Sequence, residues 1–270
     1  MEKDDGTLTQ NDGETSEVLN NFFASVFTRE DTTRIPDLEE RKENCTMENV
    51  QINMEELKKL LTKQKPNKAS GPDDIHPRIL KEAAEEIALP LYLIFKESTE
   101  KGLIPEEWKL AHVIPIFKKG SKKSAGNYRP VSLTSVVCKV LETIIRDQIM
   151  KHLQDNNLLS DQQYGFRGHR STTLQLLRVM ETWTQFIDEG APFDTIYLDF
   201  KKAFDTVPHE RLKNKLKAYG INNTIVTWIS DFLHNRQQKV TVNTKSSSWR
   251  DVLSGIPQGS VLGPILFTFI

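Results

Sequence analysis

The chain is 270 residues long with a formal charge of -1, long enough for one large domain or two modest ones. The balance hides an asymmetry, because residues 1–50 carry 5 Lys/Arg against 13 Asp/Glu whereas residues 51–270 carry 31 against 24. An acidic leader on a basic body fits a protein that meets an anionic partner such as nucleic acid, and equally a solubilising leader on an ordinary surface. Cys45 and Cys138 exclude a disulfide framework or a cysteine zinc site and read as reduced, intracellular thiols. No apolar run approaches the roughly 18 residues of a membrane span, and the N-terminal MEKDDGTLTQ has no apolar signal segment, so a soluble, unsecreted protein is expected.

In chain order, the first dozen residues are polar and read as disordered. TSEVLNNFFASVFT then places Val18, Leu19, Phe22, Phe23, Val26 and Phe27 at helical spacing, which predicts a short amphipathic helix. Residues 28–50 return to charge and proline, as a linker does. NMEELKKLLTKQK opens a second helix with Asn53 as its cap and Glu56 three residues on. KPNKASGPDDIHP is dense in turn formers and predicts an ordered surface loop, with Pro77 suited to the first turn of the next helix. That helix is expected to be interrupted at Pro90 and to end at Gly102, with Pro105 starting a short turn. LAHVIPIFKKG alternates as a strand and turns through lysines into NYRPVSL, a basic hairpin.

SVVCKVLETIIRDQIMKHL sets Val136, Val140, Leu141, Ile144, Ile145 and Ile149 on one face. STTLQLLRVMETWTQFI repeats the pattern after a Ser171 cap, so both stretches predict core-packed helices. A strand is expected from Phe193 to Phe200, then helices begun at Pro208 and near Asn223, and two short strands in QKVTVNT and WRDVLSG. GSVLGPILFTFI starts a further helix. The order predicts an α+β fold with an antiparallel component and no internal repeat.

Four constellations carry chemistry. In TIYLDFKKAFDTVPHE, Asp199 ends an apolar run; such an aspartate is a turn former, or half of a Mg²⁺ site, because hard cations take one or two protein carboxylates plus substrate phosphates. Phe200 would offer a backbone oxygen at the same strand end, and Phe204, five positions after Asp199, is either the nearest bulky ring or a core aromatic. In SGIPQGSVLGP, Gly259 lets a ligand approach the backbone and the Gln258 amide can reach it, although any strand-to-helix turn uses such residues. From Lys109 to Lys151 there are 9 Lys/Arg against Glu142 and Asp147, with Tyr128 beside Arg129: a phosphate-binding hairpin tip, or a lysine-guarded sheet edge. QYGFRGHRSTT puts Arg167 and Arg170 between an aromatic and a helix start, which suits a single-stranded backbone or a capped helix after a loop. GxxxxGK[ST], GxSxG, HExxH and paired CxxC motifs are absent, which disfavours P-loop nucleotide hydrolysis.

Taken in order, KASGPDDIHPRIL, WKLAHVIPIFKKGSKKSAGNYRPVSLTS, QYGFRGHRSTT, LDFKKAFDTVPH and GIPQGSVLGPILF resemble the reverse transcriptase domain of non-LTR retrotransposons of the jockey and LINE type. The likeness runs from about Pro66 to Ile270 and, more weakly, back to about Thr15. It implies a right-hand polymerase arrangement with an acidic leader, short helix and linker in 1–50, an N-terminal extension and fingers in 51–190, and a partial palm in 191–270. It also implies an RNA template, a DNA primer, deoxynucleoside triphosphates, and two Mg²⁺ ions about 3.5 to 4 Å apart that activate the primer 3'-oxygen and stabilise the leaving pyrophosphate.

By position, the resemblance makes Asp199 a catalytic, metal-binding aspartate with Phe200 adding its backbone oxygen, and Phe204 the ring that screens out a 2'-hydroxyl. Lys118 and Arg129 would clamp the triphosphate, Gln258 and Gly259 would line the nucleotide pocket, and Gly165, Phe166, Arg167 and Arg170 would face the template. Asp205 takes a supporting position, and Asp73 and Asp74 belong to the fingers loop. The family's two adjacent aspartates, in an aromatic-Ala-Asp-Asp hairpin, belong a few dozen residues after the Pro-Gln-Gly turn, past Ile270. Residues 1–270 are therefore expected to polymerise nothing by themselves and to expose apolar surface around Ile196, Leu198 and Leu266. A non-enzymatic RNA-binding remnant is the alternative; a maturase is a third, and the form of NYRPVSL and QYGFRGHRSTT argues against it.

Overall fold

The computed structural model describes residues 1–39, 41 and 45–270. Residues 1–11 form an ordered turn where disorder was expected. Glu2 and Leu8 make an antiparallel bridge, the Glu2 amide donates to the Lys123 carbonyl at 2.9 Å, and the terminal ammonium donates to Thr9 Oγ1 at 2.6 Å. Asp5 Oδ1 accepts from both the amide and the hydroxyl of Thr7, so a polar segment satisfies its backbone locally without a core.

Helix α1 (Asp12–Ser25) is capped by Asn11 and buries Leu19 and Phe23 against Val113 and Val240. Of the linker expected over 28–50, residues 40 and 42–44 lie outside the described residues, and the others form neither helix nor strand. Helix α2 (Met54–Thr62) begins where the sequence puts it, with the Asn53 side chain accepting from the Glu55 and Glu56 amides. Helix α3 (Pro77–Glu82) carries Pro77 in its first turn.

The interruption expected at Pro90 falls instead at Ala83 (φ -101°, ψ 25°), and α4 (Ala84–Lys101) runs straight through Pro90. A proline inside a helix removes one hydrogen bond and crowds the preceding turn, a cost of roughly 3 kcal/mol. Burial of Ala84, Ala88 and Phe95 on the flanking turns offsets it. Gly102, at φ +66°, supplies the left-handed cap that ends α4, and a 3-10 turn (Glu106–Lys109) follows Pro105.

Strands β1 (Leu110–Phe117) and β2 (Tyr128–Leu133) form the hairpin, in antiparallel register from His112↔Leu133 to Phe117↔Tyr128. Helix α5 (Val136–Asp155) buries all six apolar residues assigned to its inner face. Helix α6 (Thr172–Asp188) starts at the Ser171 cap, but its expected core packing is absent: none of its residues is buried, and Leu174, Leu177, Met180 and Ile187 are exposed. An amphipathic stripe sets the period of a helix, whereas a facing surface is needed to bury it.

Residues 193–200 form no strand. A strand needs a neighbour for its amides and carbonyls; among the described residues none pairs with this segment, and Ile196 and Leu198 are 82% and 91% exposed. Both were expected to be exposed, whereas Leu266 lies fully buried in the core. Helices α7 (His209–Ala218) and α8 (Asn223–Leu233) follow as expected, then β3 (Arg236–Val242), β4 (Lys245–Ser246), β5 (Arg250–Val252) and α9 (Gly263–Phe267).

The sheet runs β2-β1-β3-β4, with β5 also pairing β3, so the fold is mixed α+β. β1 and β3 are parallel and the other pairings antiparallel. A parallel pair needs a long crossover, which the stretch from α5 to α8 supplies. The main core joins Leu57 and Leu61 of α2, Phe95 of α4, Leu141 and Ile145 of α5, Trp228 and Phe232 of α8, and Leu266 of α9. Cys45 and Cys138 are free thiols, and no helix among the described residues is long and apolar enough to cross a membrane.

Candidate functional site

Three segments converge on one open cleft of about 800 Å³. The hairpin contributes Lys118 and Arg129, the segment after residue 198 contributes Asp199, Phe200, Lys202, Phe204 and Asp205, and the turn before α9 contributes Pro257, Gln258, Gly259 and Ser260. Phe166 reaches the same cleft, whereas Gly165, Arg167 and Arg170 do not line it.

Backbone hydrogen bonds explain why the turn lies where it does. The Ser132 amide of β2 donates to the Gln258 carbonyl at 2.7 Å. Gly259 sits at φ +128°, and a Cβ there would lie 2.5 Å from the Ser132 carbonyl oxygen, so only glycine permits this approach. On the other flank, the Ile256 amide donates to the Phe204 carbonyl at 2.7 Å and the Gly255 amide to the Val207 carbonyl at 2.9 Å. Gln258 Nε2 donates to Asp205 Oδ1 at 2.7 Å, so Gln258 is held by main chain and side chain together.

The mouth of the cleft is electropositive. Partial burial, followed by the Arg129 and Lys202 charges, holds the Lys118 ammonium below its ordinary value, with Asp205 acting in opposition. Cations crowded in this way gain when a polyanion arrives to share their charge. Burial pushes the Asp205 carboxyl up, and the Gln258 hydrogen bond and the Lys202 and Lys118 charges pull it back.

Asp199 is exposed, and the Phe200 beside it meets the Phe267 ring edge-on at 6.2 Å. Phe204 stacks on the same ring at 5.2 Å, so it is at once a core aromatic and a wall of the cleft. Among the described residues no group of three or more His, Cys, Asp or Glu is gathered as a metal ligand set. Asp199 brings one carboxylate, and Asp205 is bonded to Gln258. These donors fall short of the set that two Mg²⁺ ions require.

The arginines assigned to the template are engaged within their own loop. Arg167 donates to the Ser160 carbonyl at 2.7 Å and pairs with Asp161 at 3.6 Å. Arg170 pairs with Asp161 at 3.5 Å and lies 5.0 Å from the centre of the Tyr164 ring. Sequence reasoning missed Lys202 and Phe267. The first was visible in the Lys201-Lys202 pair beside Asp199; no local signal announces that Phe267 stacks on Phe204.

Behind the turn, His209 Nε2 lies 2.8 Å from the Gly255 carbonyl, and the His209 and His234 rings meet at 5.1 Å. Burial first, and then His234, hold the His209 imidazole below its ordinary value against the Gly255 bond and the Glu30 and Glu210 charges. The folded state therefore binds fewer protons than the unfolded chain, and the stability present above about pH 6.5 is lost as pH falls below it. Thermal melts between about pH 5 and 8 should show this slope in the wild type and a flatter one in His209→Gln.

Residues 117–270, more than half of the chain, match the family model described as Reverse transcriptase (RNA-dependent DNA polymerase). The probable RNA-directed DNA polymerase from transposon BS of Drosophila melanogaster is 30% identical over 224 residues, covering 80% of this chain and 24% of its own length. The RNA-directed DNA polymerase from mobile element jockey of Drosophila funebris is 32% identical over 218 residues, with the same coverage of 80% and 24%. The retrovirus-related Pol polyprotein from type-1 retrotransposable element R1 of Bradysia coprophila is 25% identical over 280 residues, covering 99% of this chain and 26% of its own length. The chain thus spans about a quarter of the length of the curated relatives it matches. Every residue assigned to the cleft falls inside the matched stretch, and the chain belongs to the reverse transcriptase (RNA-dependent DNA polymerase) family, alongside those of non-LTR retrotransposons.

Proposed function

We propose that this chain forms the fingers and part of the palm of a retrotransposon RNA-directed DNA polymerase, and that its cleft binds a deoxynucleoside triphosphate beside an RNA template and DNA primer. The carrying observation is the convergence of Lys118, Arg129, Phe204, Gln258 and Gly259 with Asp199 on one cleft. In this reading residues 1–50 are an acidic leader, 51–190 the N-terminal extension and fingers, and 191–270 a partial palm. Lys118 and Arg129 take the triphosphate, Gln258 and Gly259 form the wall along which the nucleotide lies, and Phe204 closes the sugar side against a 2'-hydroxyl. Asp199 and the Phe200 carbonyl are the groups this chain can offer to a catalytic Mg²⁺. Phe166 and Gly165 are template-side contacts, joined by Arg167 and Arg170 once these two exchange Asp161 for the template backbone.

The test is a pair of titrations on the purified chain, one with a fluorescent deoxynucleoside triphosphate and one with single-stranded RNA. Arg129→Ala should weaken nucleotide binding about tenfold or more while RNA binding changes by less than about twofold. Equal losses for both ligands would leave Arg129 a general electrostatic role and overturn its assignment to the triphosphate.

A second reading, an RNA-binding remnant without chemistry, has one observation in its favour: among the described residues, Asp199 is the cleft's one carboxylate outside the hydrogen-bond network of the turn. Extension of a primed RNA by this chain in Mg²⁺ would exclude that reading.

A further inference from the structure

Glu142 is a buried carboxylate to which the nucleotide reading gives no role. From α5, its Oε2 accepts from the Val261 amide at 2.7 Å and the Leu262 amide at 3.0 Å, directly after the Pro257–Ser260 turn. Its Oε1 is buried with no hydrogen-bond partner among the described residues. Such a group carries a desolvation cost that a neutral side chain of the same size would largely avoid.

The charged and titratable neighbours are few. Lys139 and Cys138 lie on α5 itself, and Arg236 approaches from β3. The Arg236 guanidinium is committed elsewhere, donating to the Phe232 carbonyl at 2.8 Å and the Trp108 carbonyl at 3.2 Å. The hydrogen bonds Glu142 makes across the fold therefore go to the two loop amides.

Those amides are one end of a short span. At its other end the Ser132 amide holds the Gln258 carbonyl and Asp205 holds the Gln258 side chain. Within it, the Ser260 amide donates to the Pro257 carbonyl at 3.1 Å and the Gly263 amide to Ser260 Oγ at 2.9 Å. A loop pinned at one end alone is free to swing, whereas hydrogen bonds from two successive amides to one buried acceptor at the second end fix its path.

We propose that Glu142 is a positioning residue for the nucleotide pocket: by anchoring the Val261 and Leu262 amides it holds the Pro257–Ser260 turn against β2 without itself touching the ligand. The inference rests on the nucleotide reading of the cleft.

Two variants separate the role from simple core packing. Glu142→Gln keeps an acceptor oxygen and the volume, and Glu142→Leu keeps volume without the acceptor. Amide hydrogen exchange over residues 257–263, affinity for a fluorescent deoxynucleoside triphosphate and affinity for single-stranded RNA are measured on each. Glu142→Leu should speed exchange in that span and weaken nucleotide binding, each about tenfold, while exchange in β1 and α8 and RNA affinity stay at wild-type values. Glu142→Gln should stay within about twofold of the wild type in all three measurements.

Wild-type exchange in Glu142→Leu would overturn the anchoring. Faster exchange throughout the protein would also overturn it, because that marks a general core role. A loosened turn with undiminished nucleotide affinity would overturn the link to the pocket. Failure of the wild type to bind nucleotide would overturn the cleft reading and the pocket role with it, whereas the anchoring contact is decided by the exchange contrast between the two variants alone.

Discussion

Gly259→Ala is expected to lower the nucleotide affinity of the cleft on the order of a hundredfold. Two costs combine. A non-glycine residue held at φ +128° is strained by about 1 to 3 kcal/mol, and the new Cβ would sit 2.5 Å from the Ser132 carbonyl oxygen, which belongs to the backbone of β2 and cannot rotate aside. The turn must then lift from β2 and give up the bond from the Ser132 amide to the Gln258 carbonyl, worth about 1 kcal/mol. Gly168→Ala is the control, since a Cβ there would meet nothing within 4 Å. Titration with a fluorescent deoxynucleoside triphosphate reads both. Wild-type affinity in Gly259→Ala would mean that the turn is not the wall of a nucleotide pocket.

Trp228→Ala should destabilise the whole fold by about 3 to 5 kcal/mol. Trp228 is fully buried on α8, stacks on Phe232 with centroids 5.5 Å apart, and its Nε1 donates to Ser98 Oγ of α4 at 2.9 Å. Removing the ring leaves a cavity between two helices and strips a buried hydroxyl of a donor, so transfer, cavity and hydrogen-bond losses act in the same direction. Ser98→Ala, which keeps the ring but removes the acceptor of Trp228 Nε1 and the bond that Ser98 Oγ donates to the Leu103 carbonyl, should cost about 1 to 3 kcal/mol. Thermal melts at neutral pH should place Trp228→Ala well below Ser98→Ala, and similar melting temperatures would show that the ring contributes little beyond its hydrogen bond. α8 leads directly into β3, which pairs with β1 and so supports the hairpin carrying Lys118 and Arg129. Loss of this core should therefore weaken nucleotide and RNA binding together, a pattern distinct from the selective loss expected at Arg129 and Gly259.

Most elements were legible because their signals are local. Asn53 and Ser171 announced helix starts by supplying the side-chain oxygen that the first free amides need, and Gly102 announced a stop by accepting a left-handed backbone. The hairpin followed from alternation in LAHVIPIF and a lysine-rich turn. Pro90 misled because the local penalty of a proline was weighed without the core contacts of Ala88 and Phe95 that offset it. The N-terminal turn misled because low hydrophobicity says nothing of the bonds that Asp5 and Lys123 provide. Helix α6 and residues 193–200 share one cause. Their periodicities are clear, yet burial and strand formation depend on a partner surface, and the ring contacts of Trp183 and Phe186 with Phe193 and of Phe200 with Phe267 neither bury α6 nor pair residues 193–200 as a strand.

The candidate site divides along the same line. The sequence by itself determined the chemistry on offer, the family and which motifs carry it, because side-chain identity and short spacings are written locally: a carboxylate at Asp199, cations at Lys118 and Arg129, an aromatic at Phe204, a flexible turn at Gln258 and Gly259. Only the tertiary structure decided that these residues share a cleft, that Asp205 is occupied by Gln258, that Phe267 backs Phe204 and that Glu142 reaches Val261 and Leu262. Those contacts join residues dozens to more than a hundred positions apart. Their geometry is set by how α5, the hairpin and the final turn pack, a property of the assembled core that no local spacing encodes.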